Sequence, residues 1–258
     1  AGGKRWLSNQ LTDYLPKKYG TYIEPFLGSG AIFFSLKPHR AILSDANGEL
    51  IKTYLAIREH PDQVKTGLYK LQDMHCKEQY YEIRSKNPQN EIELAIRFLY
   101  LNRTCWNGLY RVNKKNEFNV PIGTKTNIIL PDDNFHAVSS ALKFASLSSS
   151  DFSEAINGAN EGDLIYADPP YTVKHNKNGF LKYNQNIFSW NDQIRLRDCL
   201  VDAKNRGCHI ILSNADHPSV HDLYKDFSKH YSIPRKSVIA PNNIHRTKTS
   251  ELLVVHNA

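Results

Sequence analysis

Leu164-Ile165-Tyr166-Ala167-Asp168-Pro169-Pro170-Tyr171 is a short apolar run closed by an acidic residue and two prolines. Four consecutive apolar residues without polar alternation suit a strand buried on both faces, as in a parallel sheet. Proline ends such a strand, because it lacks the N–H a ladder needs. The same pattern recurs towards the N-terminus. Thr21-Tyr22-Ile23 reads as a strand, residues 27–30 as a glycine-containing turn and residues 31–36 as a buried helix. A second strand over 40–44 then ends at Asp45. Ahead of these, Leu7, Leu11, Tyr14 and Leu15 keep helical spacing up to Pro16. Further strands are expected at 143–147, 209–212 and 251–256, with a helix near 190–206. Residues 48–103 are helical in pattern, and 104–133 lose periodicity and gain Asn, Gly, Lys and Pro. The chain reads as one α/β sheet interrupted at about 55–135 by a helical and irregular insertion.

The chain has 258 residues, enough for one large domain or a domain with an inserted lobe. With 40% hydrophobic and 23% charged residues its composition is that of a globular protein. No apolar stretch approaches the ~20 residues of a membrane helix. No apolar secretory leader opens the sequence, and Cys76, Cys105, Cys199 and Cys208 form no C-x-x-C pair. Both observations suit a reducing cytoplasm. The histidines make no trusted ligand spacing, so no metal is expected. Lys and Arg total 33 against 26 Asp and Glu, a net charge of +7 that suits either a polyanionic partner or simple solubility.

The tetrad Asp168-Pro169-Pro170-Tyr171 falls where open α/β sheets bind ligands, beyond the carboxyl end of a strand. A carboxylate beside a carbonyl offers two acceptors, matched to an amino group with two N–H bonds. Tyr171 offers a flat face for a nucleobase. Taken alone, the tetrad also fits a plain strand-ending turn with a surface Tyr. Glu24-Pro25-Phe26-Leu27-Gly28-Ser29-Gly30 follows the first strand, and its glycines let a ligand approach the backbone. It lacks the third Gly of G-x-G-x-x-G, which disfavours a nicotinamide dehydrogenase. Asp45 stands where an acidic side chain can bond ribose hydroxyls. A zinc deaminase would need H-x-E with P-C-x-x-C, and neither occurs.

In combination these motifs resemble the S-adenosylmethionine-dependent DNA adenine-N6 methyltransferases, of the GATC-methylating type. The resemblance runs over nearly the whole chain. It includes Ala1-Gly2-Gly3-Lys4, Asn102-Arg103, Asn107-Gly108-Leu109-Tyr110-Arg111, Glu117-Phe118-Asn119-Val120-Pro121, Arg246 and Glu251-Leu252-Leu253. It implies a Rossmann-like methyltransferase sheet, mostly parallel with one antiparallel strand, and an inserted helical DNA-recognition lobe. The catalytic domain would comprise residues 1–55 and 136–258, and the target-recognition domain residues 56–135. Lys4, Phe26, Gly28, Gly30, Asp45, Asp151, Phe152 and Asp168 would hold S-adenosylmethionine. Asp168, Pro169, Pro170 and Tyr171 would act on an adenine turned out of the duplex. Arg103, Trp106, Asn107, Leu109, Arg111, Asn119, Pro121, Lys174 and Arg246 would contact double-stranded DNA, with Trp106 as a wedge in the base stack. A cognate restriction endonuclease acting separately is compatible with this reading, and oligomeric state is left open.

Other readings are methylation of RNA adenine or of a protein glutamine amide, and a catalytically silent DNA-binding relative. Asp168 and the segment between the two motifs favour DNA. Trp106, Leu109 and Phe118 would otherwise read as a small hydrophobic cluster under a polar loop. The basic excess is local: residues 103–127 sum to +4, 172–182 to +3 and 228–250 to +5. We expect these three segments to meet DNA phosphates on one face, the last as a loop before the final strand.

Overall fold

A computed structural model describes residues 4–113, 117–173, 188–227, 229–235 and 249–257. Its strands are β1 (Tyr22–Glu24), β2 (Ala41–Asp45), β3 (Ala145–Ser149), β4 (Leu164–Ala167), β5 (His209–Ala215), β6 (Lys229–Arg235) and β7 (Thr249–His256). Helices in the first half are α1 (Arg5–Leu11), α2 (Ala31–Leu36), α3 (Gly48–Glu59), α4 (Pro61–Asp73), α5 (Lys77–Ser85) and α6 (Glu91–Thr104). The second half adds α7 (Phe135–Leu142), α8 (Phe152–Asn157), α9 (Trp190–Asn205) and α10 (Pro218–Leu223). None of the helices among the described residues is long and apolar enough to cross a membrane.

The chain divides into two compact units. One comprises Trp6–Leu27, Pro38–Ala46 and the segment beginning at Ser150. Its strands lie in the order β2-β1-β4-β5-β7-β6. β1 is parallel to β2 and β4, and β4 to β5, whereas β7 is antiparallel to both β5 and β6. This is the Rossmann-like, mostly parallel α/β sheet expected from the sequence. β1 and β4 are buried throughout and β5 nearly so, which is why their sequences show no polar alternation. On one face Ile23, Ile165, Ala167, Ile210 and Leu212 pack against Leu196 and Leu200 of α9 and Phe152 and Ile156 of α8. Each fully buried Leu or Ile contributes about 1.5–3 kcal/mol. Ser189 starts α9 with a reciprocal capping box to Asp192.

The other unit comprises Asn47–Ser149, Gly28–Lys37 and the segment that ends at Arg5. Ala56, Leu68, Tyr80, Tyr100 and Leu101 belong to its core, drawn from α3, α4, α5 and α6. Asn47, Asn90 and Asn134 each cap the N-terminus of the helix that follows, accepting from Leu50, Glu93 and Ala137 N–H groups. The insertion read from the sequence ran from 56 to 135. A boundary at 55 would cut α3 in mid-helix, and Ala56 and Ile57 of α3 share the core of α6.

Several strands are offset from the sequence reading: β3 occupies 145–149 rather than 143–147, β5 runs on to Ala215 and β7 begins at Thr249. Residues 229–235, read as part of a loop, form strand β6 at the end of the strand order. In Lys-His-Tyr-Ser-Ile-Pro-Arg only Tyr231 and Ile233 supply an apolar alternation, and Pro234 is one that an edge strand tolerates because one side needs no donor.

Candidate active site

The parallel register puts the ends of β1, β4 and β5 side by side: Ile23 pairs with Ile165, and Ala167 with Leu212. Successive residues of a strand alternate faces, so Tyr22 and Glu24 share one face, as do Tyr166 and Asp168. Glu24 is buried and accepts a hydrogen bond from the Tyr22 hydroxyl at 2.8 Å. Asp168 follows β4 directly, and Ser213 Oγ of β5 lies 3.4 Å from its Oδ1. Ser213 Oγ is also hydrogen-bonded to Glu251 Oε1 of β7. Glu251 is paired with Ala215 across the β5–β7 ladder, which puts it diagonal to Ser213. Pro169 is buried behind Asp168, while Pro170 and Tyr171 are half-buried.

These carboxylates leave their mark on the neighbouring phenols. Burial, then Asp168, Glu24 and Glu251, pushes the Tyr166 hydroxyl well above the usual phenol range. Burial, then Asp168 and Glu251, does the same to Tyr171, whose hydroxyl hydrogen-bonds Ser213 and Glu251. Tyr171 therefore carries an anchored hydroxyl as well as the ring face expected from the sequence. The buried Tyr166 hydroxyl has no partner among the described residues, which leaves one donor for a bound group to satisfy.

An aromatic cluster in the same unit carries the other expected cofactor residues. Phe26 stacks on Phe152 with centroids 5.3 Å apart, and Phe188 meets both, at 5.6 and 5.8 Å. The Arg195 guanidinium lies 4.3 Å from the Phe152 centroid. Asp151 caps α8 through Ser153 N–H and binds Arg195 through both oxygens, at 2.7 and 2.9 Å. The Arg195 bonds lead in holding the Asp151 carboxyl down at about 2. Asp45 closes β2 and is half-buried. A stacked aromatic pair, a carboxylate ending β2 and another following β4 are the donor set that a nucleoside-bearing cation such as S-adenosylmethionine would use. Lys4, Gly28 and Gly30 belong to the helical unit. Lys4 is buried; Gly28 and Gly30 have φ of +48° and +62°, a left-handed backbone that favours glycine.

The expected recognition residues fall on one segment of the helical unit. Trp106-Asn107-Gly108 forms a single 3₁₀ turn, with Asn107 at φ +55°. The Trp106 side chain is exposed at 52%, and the Trp106 backbone N–H donates to the Pro121 carbonyl at 2.9 Å. Asn107, Arg111 and Pro121 are exposed and Leu109 half-buried. Val112 bridges Phe118, and Asn119 N–H donates to the Arg111 carbonyl at 3.1 Å. Asn119 Oδ1 in turn accepts from Arg111 Nε at 2.9 Å. Phe118 is buried against Tyr110, which stacks near Phe98, so the hydrophobic cluster forms without Trp106. Arg103 is half-buried and binds Asp133 through both terminal nitrogens, and the Ile128 carbonyl. Lys174, Arg246 and Ala1-Gly2-Gly3 lie outside the described residues, as does most of the basic segments 172–182 and 228–250.

Arg195, Ser213 and the role of Glu251 were not read from the sequence. A signal for Ser213 was present: Ile210-Ile211-Leu212 is a buried strand whose next two residues, Ser213 and Asn214, are polar. Arg195 carries no such signal, since a basic residue on a helix is ordinarily a solvated one.

Comparison with known proteins agrees with this chemistry. A family model described as D12 class N6 adenine-specific DNA methyltransferase matches residues 1–239. A type II methyltransferase of Lactococcus lactis subsp. cremoris is 37% identical over 264 residues, covering 99% of this chain and 93% of that protein. A type II methyltransferase of Methanocaldococcus jannaschii is 33% identical over 279 residues, with 99% and 96% covered. The DNA adenine methylase of Escherichia coli (strain K12) is 30% identical over 260 residues, with 99% and 93% covered.

Proposed function

The chain belongs to the D12 class N6 adenine-specific DNA methyltransferase family, and we propose that it methylates adenine N6 within GATC in duplex DNA, using S-adenosylmethionine and turning the target base out of the helix. The observation that carries this reading is Asp168 at the carboxyl end of a buried parallel strand, followed by Pro169, Pro170 and Tyr171. The reaction is placed in the cytoplasm, on DNA.

Adenine N6 is a weak nucleophile because its lone pair is delocalised into the ring. The Asp168 carboxylate and the Pro169 carbonyl would accept its two N–H bonds and free the lone pair to point away from them. Fixed acceptors at the place where positive charge develops, together with orientation, supply most of the acceleration. Bound S-adenosylmethionine supplies a methyl group on a cationic sulfonium. Asp168 and Glu24, the carboxylates that most affect the Tyr166 hydroxyl, favour positive charge in that region. Phe26, Asp45, Phe152 and Asp168 would bind the cofactor, with Asp151 and Arg195 bracing Phe152. Lys4, Gly28 and Gly30 complete the expected cofactor set.

Trp106 would fill the gap left by the extruded adenine, and Arg111 would read guanine O6 and N7. Asn107, Leu109, Asn119 and Pro121 lie on the same segment and would face the groove, with Lys174 and Arg246 at phosphates. Arg103 would support this surface through Asp133.

The test is methyl transfer to plasmid DNA with the modified positions mapped by sequencing, with RNA and protein as parallel acceptors. Methylated adenine confined to GATC supports the proposal. Modification of another site would overturn the target, and transfer to RNA or protein alone would overturn the substrate. Asp168→Ala should still bind DNA and lose transfer; near-normal turnover would remove Asp168 from its assigned role.

A further inference from the structure

We propose that Glu251 is a positioning residue for methyl transfer, holding the Ser213 hydroxyl that fixes the Asp168 carboxylate where it grips N6. The inference rests on the reading of Asp168 as the group that grips the amino nitrogen.

Ser213 and Glu251 are fully buried, Glu251 at 1% exposure, and a carboxylate is seldom buried without a partner that needs it. Ser213 Oγ stands between two carboxyl groups, 3.4 Å from Asp168 Oδ1 and closer to Glu251 Oε1. The Tyr171 hydroxyl bonds both Ser213 and Glu251, so these three side chains form one network against Asp168.

This network has a direct chemical consequence. A hydroxyl held against Asp168 Oδ1 fixes the plane of the carboxylate, and with it the direction from which N6 is gripped. As N6 bonds the methyl carbon, the carbon–sulfur pair leaves with sulfur, and one N6 proton passes to Asp168. Without Glu251 the Ser213 hydroxyl loses its anchor on β7, and the Asp168 plane is held less firmly. The Tyr171 hydroxyl, bonded to Ser213 and Glu251, extends the same network to the last residue of the tetrad.

The experiment measures single-turnover methyl transfer on a GATC duplex, with cofactor and DNA dissociation constants and melting temperature recorded for each variant. Glu251→Ala and Ser213→Ala should each slow transfer about 10- to 100-fold, the size usual for partners that orient a reacting group. Both dissociation constants should remain within about twofold. Glu251→Gln keeps an acceptor oxygen for Ser213 and should recover most of the rate, as should Ser213→Thr. The inference is overturned if both alanine variants transfer at the wild-type rate. It is equally overturned if their loss follows weakened cofactor binding or a lowered melting temperature, or if the conservative variants fare no better. Should Glu251→Ala fail to fold, the Ser213 pair and Glu251→Gln decide. Asp168→Ala separates the two levels: full activity there defeats the underlying reading. Loss there beside unaffected Glu251 and Ser213 variants defeats the positioning role alone.

Discussion

Arg195 binds both oxygens of Asp151, at 2.7 and 2.9 Å, while its guanidinium lies over the Phe152 ring. The pair is half-exposed, so its worth is that of a screened ion pair, about 0.5–1 kcal/mol. The Asp151 carboxyl is depressed from 3.8 to about 2. A depressed carboxylate stabilises the fold above its unfolded-state value, and that stability disappears as pH falls through the folded value. Asp151→Asn keeps a capping side chain and removes the charge. It should cost about 0.5–1 kcal/mol at pH 7 in urea titrations, with the gap to wild type closing between about pH 4 and pH 2. A gap that stayed constant would show that the ion pair contributes nothing.

Arg103 and Asp133 are only 18% and 14% exposed. Removing one partner of a fully buried pair costs about 3–5 kcal/mol, and a slightly smaller loss, roughly 2–4 kcal/mol, is expected for Arg103→Ala or Asp133→Ala. Arg103→Lys should not restore it, because Lys cannot supply two parallel bonds. Denaturant unfolding measures this. Unchanged stability together with weakened DNA binding would return Arg103 to the DNA surface.

Arg111 is exposed and steered by Asn119 through Nε. One bidentate contact to guanine carries about 1–3 kcal/mol of discrimination. Arg111→Ala should therefore relax selectivity at a single base pair, by roughly 5- to 150-fold in kcat/KM ratio, with stability unchanged. Asn119→Ala should relax the same base pair, less strongly. Comparing GATC with its single substitutions reads both effects, and equal losses at all positions would assign Arg111 to phosphate.

Trp106 presents a large apolar surface to solvent, so Trp106→Ala should leave the melting temperature nearly unchanged. It should slow single-turnover transfer on an intact duplex. A duplex with an abasic or mismatched partner opposite the adenine has less to unstack and should recover part of the rate. Equal slowing on both duplexes would remove the wedge role.

Much of the fold was legible because local pattern and tertiary demand agreed. Ala31 to Leu36 is apolar between glycine-rich and proline-bearing flanks and forms α2 over that span. Leu164 to Ala167 is apolar throughout and forms the central β4. Strand β6 was illegible because its stability comes from pairing with β7 rather than from its own polar residues. The pairing of Arg103 with Asp133 joins residues 30 apart through a loop, and nothing in local sequence marks it. Ser213 and Glu251 are 38 apart and meet only through the antiparallel β5–β7 register. Motif position along a strand can be read from sequence; contacts set by register between strands cannot.

The segment after Phe118 alternates, with Phe118 and Val120 buried and Glu117 and Pro121 exposed. The Tyr80 hydroxyl fastens it from within through the Val120 carbonyl. Gly123 lies so close to the Cys105 carbonyl that an added Cβ would sit 2.6 Å from its oxygen. Holding the strap in place thus falls to its inward residues. If the outward ones read DNA, as proposed, they can be exchanged with little cost to stability, and target choice and fold can then be altered separately.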